Sequence, residues 1–157
     1  MAPTDAMKVA VVGLWHLGTV TAACCAAAGH EVIAFDDDKD VVRNLQNGAL
    51  PVNEPGLRAL VASGSAAGNL RFTDDPSRTS DSEVIWICYD TPVDENDVPD
   101  AEFVVSRISR MVSFVKPGAV VLISSQLPVG STAKLQSFHP DFAFAYSPEN
   151  LRLGKAI

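Results

Sequence analysis

Short apolar runs alternate along this chain with stretches whose apolar residues recur every three or four positions. Lys8-Val9-Ala10-Val11-Val12 is apolar toward both faces and ends at Gly13, the pattern of a strand buried in a parallel sheet. Leu17, Val20, Cys24 and Ala27 then fall at helical spacing in an alanine-rich segment, and Gly29 is placed to end that helix. Glu31-Val32-Ile33-Ala34-Phe35 is a second strand, stopped by aspartates, and Val41, Val42 and Leu45 mark a second helix that closes near Asn47-Gly48. Pro51 and Pro55 make the stretch from Gly48 to Gly56 a loop. Leu57, Leu60 and Val61 predict a short helix, and the small residues from Ser63 to Asn69, with Gly64 and Gly68, read as a mobile turn. Leu70-Arg71-Phe72 and Val84-Ile85-Trp86-Ile87-Cys88 are the next strands, and Asp90 to Pro99 is a polar loop. Asp100 is a candidate N-cap for a helix whose Ala101, Val104, Val105, Ile108, Met111, Val112 and Val115 form one apolar face. Beyond Lys116-Pro117-Gly118 come a fifth strand (Ala119 to Ile123), a modest helix (Gly130 to Ser137) and a sixth strand (Phe142 to Tyr146). Strands alternating with helices imply βαβ units with right-handed crossovers. The predicted fold class is α/β: a doubly wound, Rossmann-like parallel sheet of six strands in the order 3-2-1-4-5-6.

Composition narrows the picture. A chain of 157 residues fits one domain, and 47% hydrophobic against 20% charged residues excludes wholesale disorder. Residues 1–6 read as a flexible polar tail and 7–157 as the folded domain. No apolar run approaches the ~20 residues that span a bilayer, and no basic stretch leads into an apolar one as in a secretory signal, so a cytoplasmic protein without membrane contact is expected. The net charge is −7, with ten acidic residues against Arg78 alone between Asp74 and Glu102 and a second cluster at Asp36, Asp37, Asp38 and Asp40. Such surfaces repel nucleic acid. Cys24, Cys25 and Cys88 lack metal-type spacing and read as buried thiols in a reducing compartment; His16, His30 and His139 are far apart, and no metal site is expected.

Candidate chemistry begins at the first strand-to-helix turn, Gly13-Leu14-Trp15-His16-Leu17-Gly18. A dinucleotide fold places glycine there for the tight turn, for close approach of the backbone to the pyrophosphate, and for packing of helix on strand. Gly13 and Gly18 supply the first and third; Trp15 holds the second place. Asp36 follows Gly13 by 23 positions and ends the second strand, where an acid accepts hydrogen bonds from the adenosine ribose and repels a 2′-phosphate. Asp37 and Asp38 are expected to reinforce that repulsion, so the expected cofactor is NAD rather than NADP.

Further motifs extend this reading. They are Ala28 to Val32, Asn53-Glu54-Pro55-Gly56-Leu57, Thr91-Pro92 with Asp94-Glu95, Ser125 with Pro128-Val129-Gly130, and Tyr146 to Arg152 leading into Gly154-Lys155-Ala156-Ile157. With the glycine turn they resemble the N-terminal NAD-binding domain of the UDP-glucose/GDP-mannose dehydrogenase family over nearly the whole chain. The resemblance implies oxidation of the C6 alcohol of a nucleotide sugar, a UDP-sugar foremost, to a carboxylate with two NAD. The implied route passes through an aldehyde, a cysteine thiohemiacetal and a thioester, and the product serves polysaccharide biosynthesis. Gly13, Leu14, Trp15, His16, Leu17, Gly18 and Asp36 would hold the cofactor. Thr91 and Pro92 would line its cleft, Ser125 and Gln126 would approach the nicotinamide, and Glu149 would lie in the general-base region. By residue type alone, Thr91-Pro92 also suits a plain turn, Pro128 to Gly130 a helix start, and Glu54 a cap for the helix after Pro55.

The departures are Gln126 where many members carry threonine, Leu153 where many carry a second glutamate, Val41 where a basic residue is frequent, and Trp15 itself. The family's nucleophilic cysteine, a catalytic lysine and an asparagine fall in a central helix and a C-terminal domain that this chain is expected to lack. It would then be a cut-down piece, a fragment or a truncated gene product, inactive alone. Family dimers form largely through that helix, so the full-length protein is expected to dimerise and this piece is open to being a monomer. A stand-alone NAD-binding regulatory module is the alternative, and half of another Rossmann enzyme a more distant one.

Overall fold

The computed structural model describes residues 6–157, so all of the expected polar tail except Ala6 lies outside the described residues. The strands are β1 (Lys8–Val12), β2 (Glu31–Phe35), β3 (Leu70–Thr73), β4 (Val84–Ile87), β5 (Val120–Ile123) and β6 (Ala143–Tyr146). The helices are α1 (His16–Ala27), α2 (Lys39–Gln46), α3 (Leu57–Ala67), α4 (Ala101–Val112) and α5 (Ser131–Phe138), and a 3₁₀ turn spans Pro76–Thr79. The strands form one parallel sheet in the order β3-β2-β1-β4-β5-β6, as the alternation predicts.

Successive side chains of a strand face opposite sides, and β1 shows why both its faces are apolar. Val9 and Val11 pack with Val20, Ala22, Ala23 and Ala26 of α1, Val61 of α3 and Leu45 of α2. Ala10 and Val12 pack with Val104, Ile108 and Met111 of α4 and Leu135 of α5. Helices therefore cover both faces; of the predicted apolar stripe α4 buries Val104, Ile108, Met111 and Val112 and leaves Ala101 and Val105 half-buried, while the helix ends at Val112 and the buried Val115 lies beyond it. Asp100 caps α4 by accepting from the Phe103 N–H over 3.0 Å, as its position before the stripe predicts.

Three expectations change. The small residues from Ser63 to Ala67 are helix, because Gly64 is a contact point and not a break. A Cβ there would lie 3.0 Å from Leu70 Cβ and 3.3 Å from Ala26 Cβ, so hydrogen lets α3 close on both α1 and β3; Gly68, at φ +79, ends the helix. Helix α1 is buried nearly all round rather than along one stripe, with Thr19, Thr21, Ala22 and Ala23 inside and Ala27 exposed, since it lies between the sheet and α3. For the same reason Cys24 and Cys25 are half-buried, and Cys88 alone is fully buried.

Candidate functional site

In a parallel doubly wound sheet every strand delivers its following loop to the same edge, and the crevice opens where the strand order reverses, here between β1 and β4. Gly13 turns the chain at φ +91, and a Cβ on it would sit 2.8 Å from the Tyr89 backbone nitrogen. A Cβ on Gly18 would sit 1.7 Å from the Gly13 carbonyl oxygen. The two glycines thus let α1 start directly against β1 and β4. No side chain caps α1, so the N–H groups of its first turn and the helix dipole are left for an anion. Trp15, at φ −90, needs no left-handed backbone; its side chain is half in solvent and stands edge-on to the His16 ring. The middle position therefore takes a side chain without calling on the positive φ that favours glycine.

Asp36 belongs to this turn. Its Oδ2 accepts from the Leu14 N–H over 2.7 Å and its Oδ1 from the Asp38 N–H over 2.9 Å, while two lone pairs per oxygen leave room for further donors. Asp37 and Asp38, expected to reinforce its charge, each hold partners of their own. Asp38 caps α2, accepting from the Asp40 and Val41 N–H groups. Asp37 turns to α4, where Arg107 and Arg110 pair with it and the Tyr89 hydroxyl donates to it over 3.0 Å.

The far wall comes from β4 and β5. Thr91 Oγ1 donates to the Gln126 carbonyl over 2.6 Å, which ties the two loops, and the Pro92 carbonyl accepts from the Asp100 N–H over 2.7 Å. The Ser124 hydroxyl accepts from Trp86 Nε1 over 2.9 Å. Ser125 is buried and its Oγ has no partner. A buried hydroxyl left unpaired costs about 1–3 kcal/mol, which a ligand group reaching it would offset. An uncapped helix end and an acid at the end of β2 are the features by which a doubly wound sheet holds a dinucleotide, and the unpaired Ser125 hydroxyl follows β5 at the same edge.

Glu149, beyond β6, is exposed, and its Oε1 accepts from the Leu151 N–H, so it also has a local turn to hold. Sequence reasoning missed Asp90, which sits near it. Burial, and then the charge of Glu149, push the Asp90 carboxyl up, with His16 opposing. Burial also pushes the Cys88 thiol far up, an effect to which the Asp90 and Glu149 charges add.

Glu54, singled out in its motif and suited by residue type to cap the helix after Pro55, takes another role. It does not cap α3: its buried carboxylate accepts from His16 Nε2 over 2.8 Å, from the Gly154 N–H over 2.6 Å and from the Ala156 N–H over 3.2 Å. His16 thus serves Glu54 through its side chain, while its backbone stays in the turn. The motif residues around Glu54 and Gly154 were visible singly, but nothing local pairs positions 100 apart.

A cavity of about 340 Å³ lies at the opposite, N-terminal edge of the sheet, among Lys8, Glu31, Arg71, Arg78 and Asp81. It mixes both charge signs and holds no buried polar atom without a partner, so the candidate site remains at the carboxyl edge. Among the described residues no helix is long and apolar enough to cross a membrane, and no three His, Cys, Asp or Glu converge as a metal site.

Comparison with known proteins agrees with this geometry. Residues 7–157 match the model of the UDP-glucose/GDP-mannose dehydrogenase family, NAD binding domain. The UDP-glucose 6-dehydrogenase of Rhizobium meliloti is 33% identical over 96% of this chain and 36% of its own length, and that of Bacillus subtilis 32% over 96% and 34%. The chain thus spans about a third of the curated relatives that it matches. Among solved structures, the UDP-D-ManNAc dehydrogenase of Pyrococcus horikoshii superposes with a TM-score of 0.86 at 29% identity, over 94% of this chain and 37% of that one. A ternary complex of GDP-mannose dehydrogenase from Pseudomonas aeruginosa gives 0.84 at 29%, over 96% and 38%. The doubly wound sheet, the glycine turn and the family match lead to one conclusion: this chain belongs to the UDP-glucose/GDP-mannose dehydrogenase family, as its NAD binding domain.

Proposed function

We propose that the chain is the cofactor half of a nucleotide-sugar 6-dehydrogenase that oxidises the C6 alcohol of a UDP-sugar to the carboxylate with two NAD. The observation that carries the reading is the meeting, at one edge of the sheet, of the uncapped α1 N-terminus, the Asp36 carboxylate and the unpaired Ser125 hydroxyl. Support for the substrate class comes from relatives named UDP-glucose 6-dehydrogenase and UDP-N-acetyl-D-mannosamine dehydrogenase.

The roles follow from position. The backbone of Gly13, Leu14, Trp15, His16, Leu17 and Gly18 forms the turn under the pyrophosphate, and the first-turn N–H groups of α1 face its charge. Asp36 accepts from the adenosine ribose hydroxyls and disfavours a 2′-phosphate. Thr91 and Pro92 form the wall on the β4 side. Ser125 donates its free hydroxyl, and Gln126, exposed beside it, faces the nicotinamide end. NAD supplies the hydride acceptor. Glu149, at the open end of the cleft, is the general base, and Asp90 holds a second carboxyl close by. The domain belongs, on this reading, to a longer, dimeric and cytoplasmic enzyme, as the family resemblance implies.

The test joins the chain to the remaining two thirds of a family dehydrogenase and follows NADH absorbance. UDP-glucose or UDP-N-acetylmannosamine should give steady NADH, and Glu149→Gln in the hybrid should slow it severely. A hybrid that binds NAD and the UDP-sugar yet releases no NADH counts against the reading, as does full activity of the Glu149→Gln hybrid.

A further inference from the structure

Asp37 follows the ribose acid directly, but its side chain turns the other way, toward α4. Its Oδ2 accepts from the Tyr89 hydroxyl over 3.0 Å and from Arg107, and its Oδ1 accepts from Arg110. The side chain of Asp37 is 20% exposed, that of Arg107 30% and that of Arg110 50%. The two arginines, three apart on α4, therefore stand on one helix face, against the residue that follows Asp36 in the chain.

Arg107 does not owe its placement to Asp37 alone. Its guanidinium lies 4.4 Å from the Phe103 ring centroid and 5.2 Å from that of Tyr89. Cation–π contact with two rings fixes the plane of the guanidinium. Loss of the Asp37 carboxylate would leave Arg107 oriented, with donors freed, and Arg110 beside it. Two guanidinium groups without an acceptor are a ready partner for a phosphate monoester, which they bind through paired, charge-assisted hydrogen bonds. A dinucleotide fold that takes NADP uses an arginine near the ribose for the 2′-phosphate.

The charge balance points the same way. Asp36, Asp37, Arg107 and Arg110 together sum to zero; without Asp37 the remaining three sum to +1.

We propose that Asp37 is a specificity-determining residue: by occupying Arg107 and Arg110 it keeps them from serving as a 2′-phosphate site beside the adenosine ribose, and so holds the domain to NAD. The inference rests on the reading of Asp36 as the ribose acceptor. It also assigns NAD selectivity to two residues acting differently, Asp36 by direct contact and Asp37 by withholding cations.

A role as a mere staple between the β2–α2 loop and α4 makes a different prediction, because a lost staple weakens both cofactors alike. The experiment is titration calorimetry of NAD and NADP at fixed ionic strength on the 157-residue chain, on Asp37→Ala, on the near-isosteric Asp37→Asn and on Asp37→Ala/Arg107→Ala. The wild type should prefer NAD. Each single variant should raise NADP affinity relative to NAD by about tenfold or more, the scale of one charge-assisted hydrogen bond, and the double variant should lose most of that gain. If Asp37→Ala does not fold, Asp37→Asn carries the comparison. An unchanged NAD-to-NADP ratio in the folded variants overturns the proposal while leaving the Asp36 reading intact. A wild type that shows no preference for NAD overturns both.

Discussion

His16 Nε2 donates to Glu54 Oε1 over 2.8 Å, and this buried pair joins the first residue of α1 to the segment beyond β6. Glu54 gathers three donors from two distant stretches, so the glycine turn and the Gly154–Ala156 loop share one carboxylate. Leu151 and Ala156 pack on the same core as α1 and α3, which brings the loop close enough for its N–H groups to reach Glu54.

The pair makes stability depend on acid. Burial pushes the Glu54 carboxyl up, but the hydrogen bonds from Gly154, Ala156 and His16 outweigh it, and the net shift is downward. A carboxyl held lower in the folded than in the unfolded state contributes stability that is present above its unfolded value, about 4.3, and is lost as pH falls through the folded value. Thermal melts of the wild type and Glu54→Gln should therefore differ most near neutral pH and converge on acidification. The variant should also expose the Gly154 and Ala156 amides to faster hydrogen exchange. A melting difference that stays constant down to about pH 3, below the unfolded value, would remove Glu54 from this role.

Asp36 is tied to the turn as well as facing the cleft. Asp36→Asn keeps its size and an acceptor for the Leu14 N–H but loses the charge. NAD binding should weaken by about 1–3 kcal/mol, the scale of a hydrogen bond to a charged group. Unchanged affinity by calorimetry would dismiss Asp36 as the ribose acceptor.

The sheet order and the cofactor turn were legible in the sequence because both are local. A strand apolar on two faces must be central, and the glycine turn with an acid at the end of the next strand is a short-range pattern. Asp100 was legible as a cap for the same reason. What escaped was long-range. Gly64 carries the composition of a break, and only its contacts with Ala26 and Leu70 show that it is a packing site. Asp37 reads as one more surface acid until α4 brings Arg107 and Arg110 to it. Asp90 and Glu54 acquire their partners only when loops from separate strands meet.

The two buried glycines of the helices should respond unequally to alanine. At Gly18 the new Cβ would meet the Gly13 carbonyl at 1.7 Å, and neither backbone is free to move. Gly18→Ala should cost at least about 3 kcal/mol, the upper range for overpacking, and abolish NAD binding. At Gly64 the contacts are 3.0 and 3.3 Å with side-chain carbons, and alanine's helix preference returns about 1 kcal/mol. Gly64→Ala should therefore stay within about 1–2 kcal/mol of the wild type. Chemical denaturation of both decides; an equal loss would mean that the α1 turn is less tightly built than its geometry indicates.

Trp15 occupies the middle position of the turn with its ring half in solvent. Trp15→Gly should preserve or improve NAD affinity and lower stability by about 0.4–1 kcal/mol, because glycine has more conformational freedom to lose on folding. A large loss of NAD affinity would place the ring in contact with the cofactor.

The last prediction concerns turnover by the 157 residues alone. The second oxidation implied for the family needs a thiolate nucleophile, since a thioester forms from a positioned sulfur. Cys24 and Cys25 lie half-buried on α1, where burial pushes Cys25 up to about 11 and raises Cys24 as well. Cys88 is buried beneath the cleft with its thiol pushed further up, and the nearby Asp90 and Glu149 charges oppose ionisation. None of the three is a thiolate at neutral pH, and low thiolate content suppresses nucleophilicity. Glu149 is exposed, and orienting two reactants contributes about 7–11 kcal/mol of barrier lowering only where the groups around them hold both in place. The purified chain should therefore bind NAD weakly and give no NADH with UDP-glucose, UDP-N-acetylhexosamines or GDP-mannose. Absorbance of NADH, followed with each sugar in turn, is the assay. Steady production of NADH by this chain would show that these residues suffice for at least the first oxidation, which needs no thiolate; two NADH per sugar would show that one of the three thiols also ionises despite its burial.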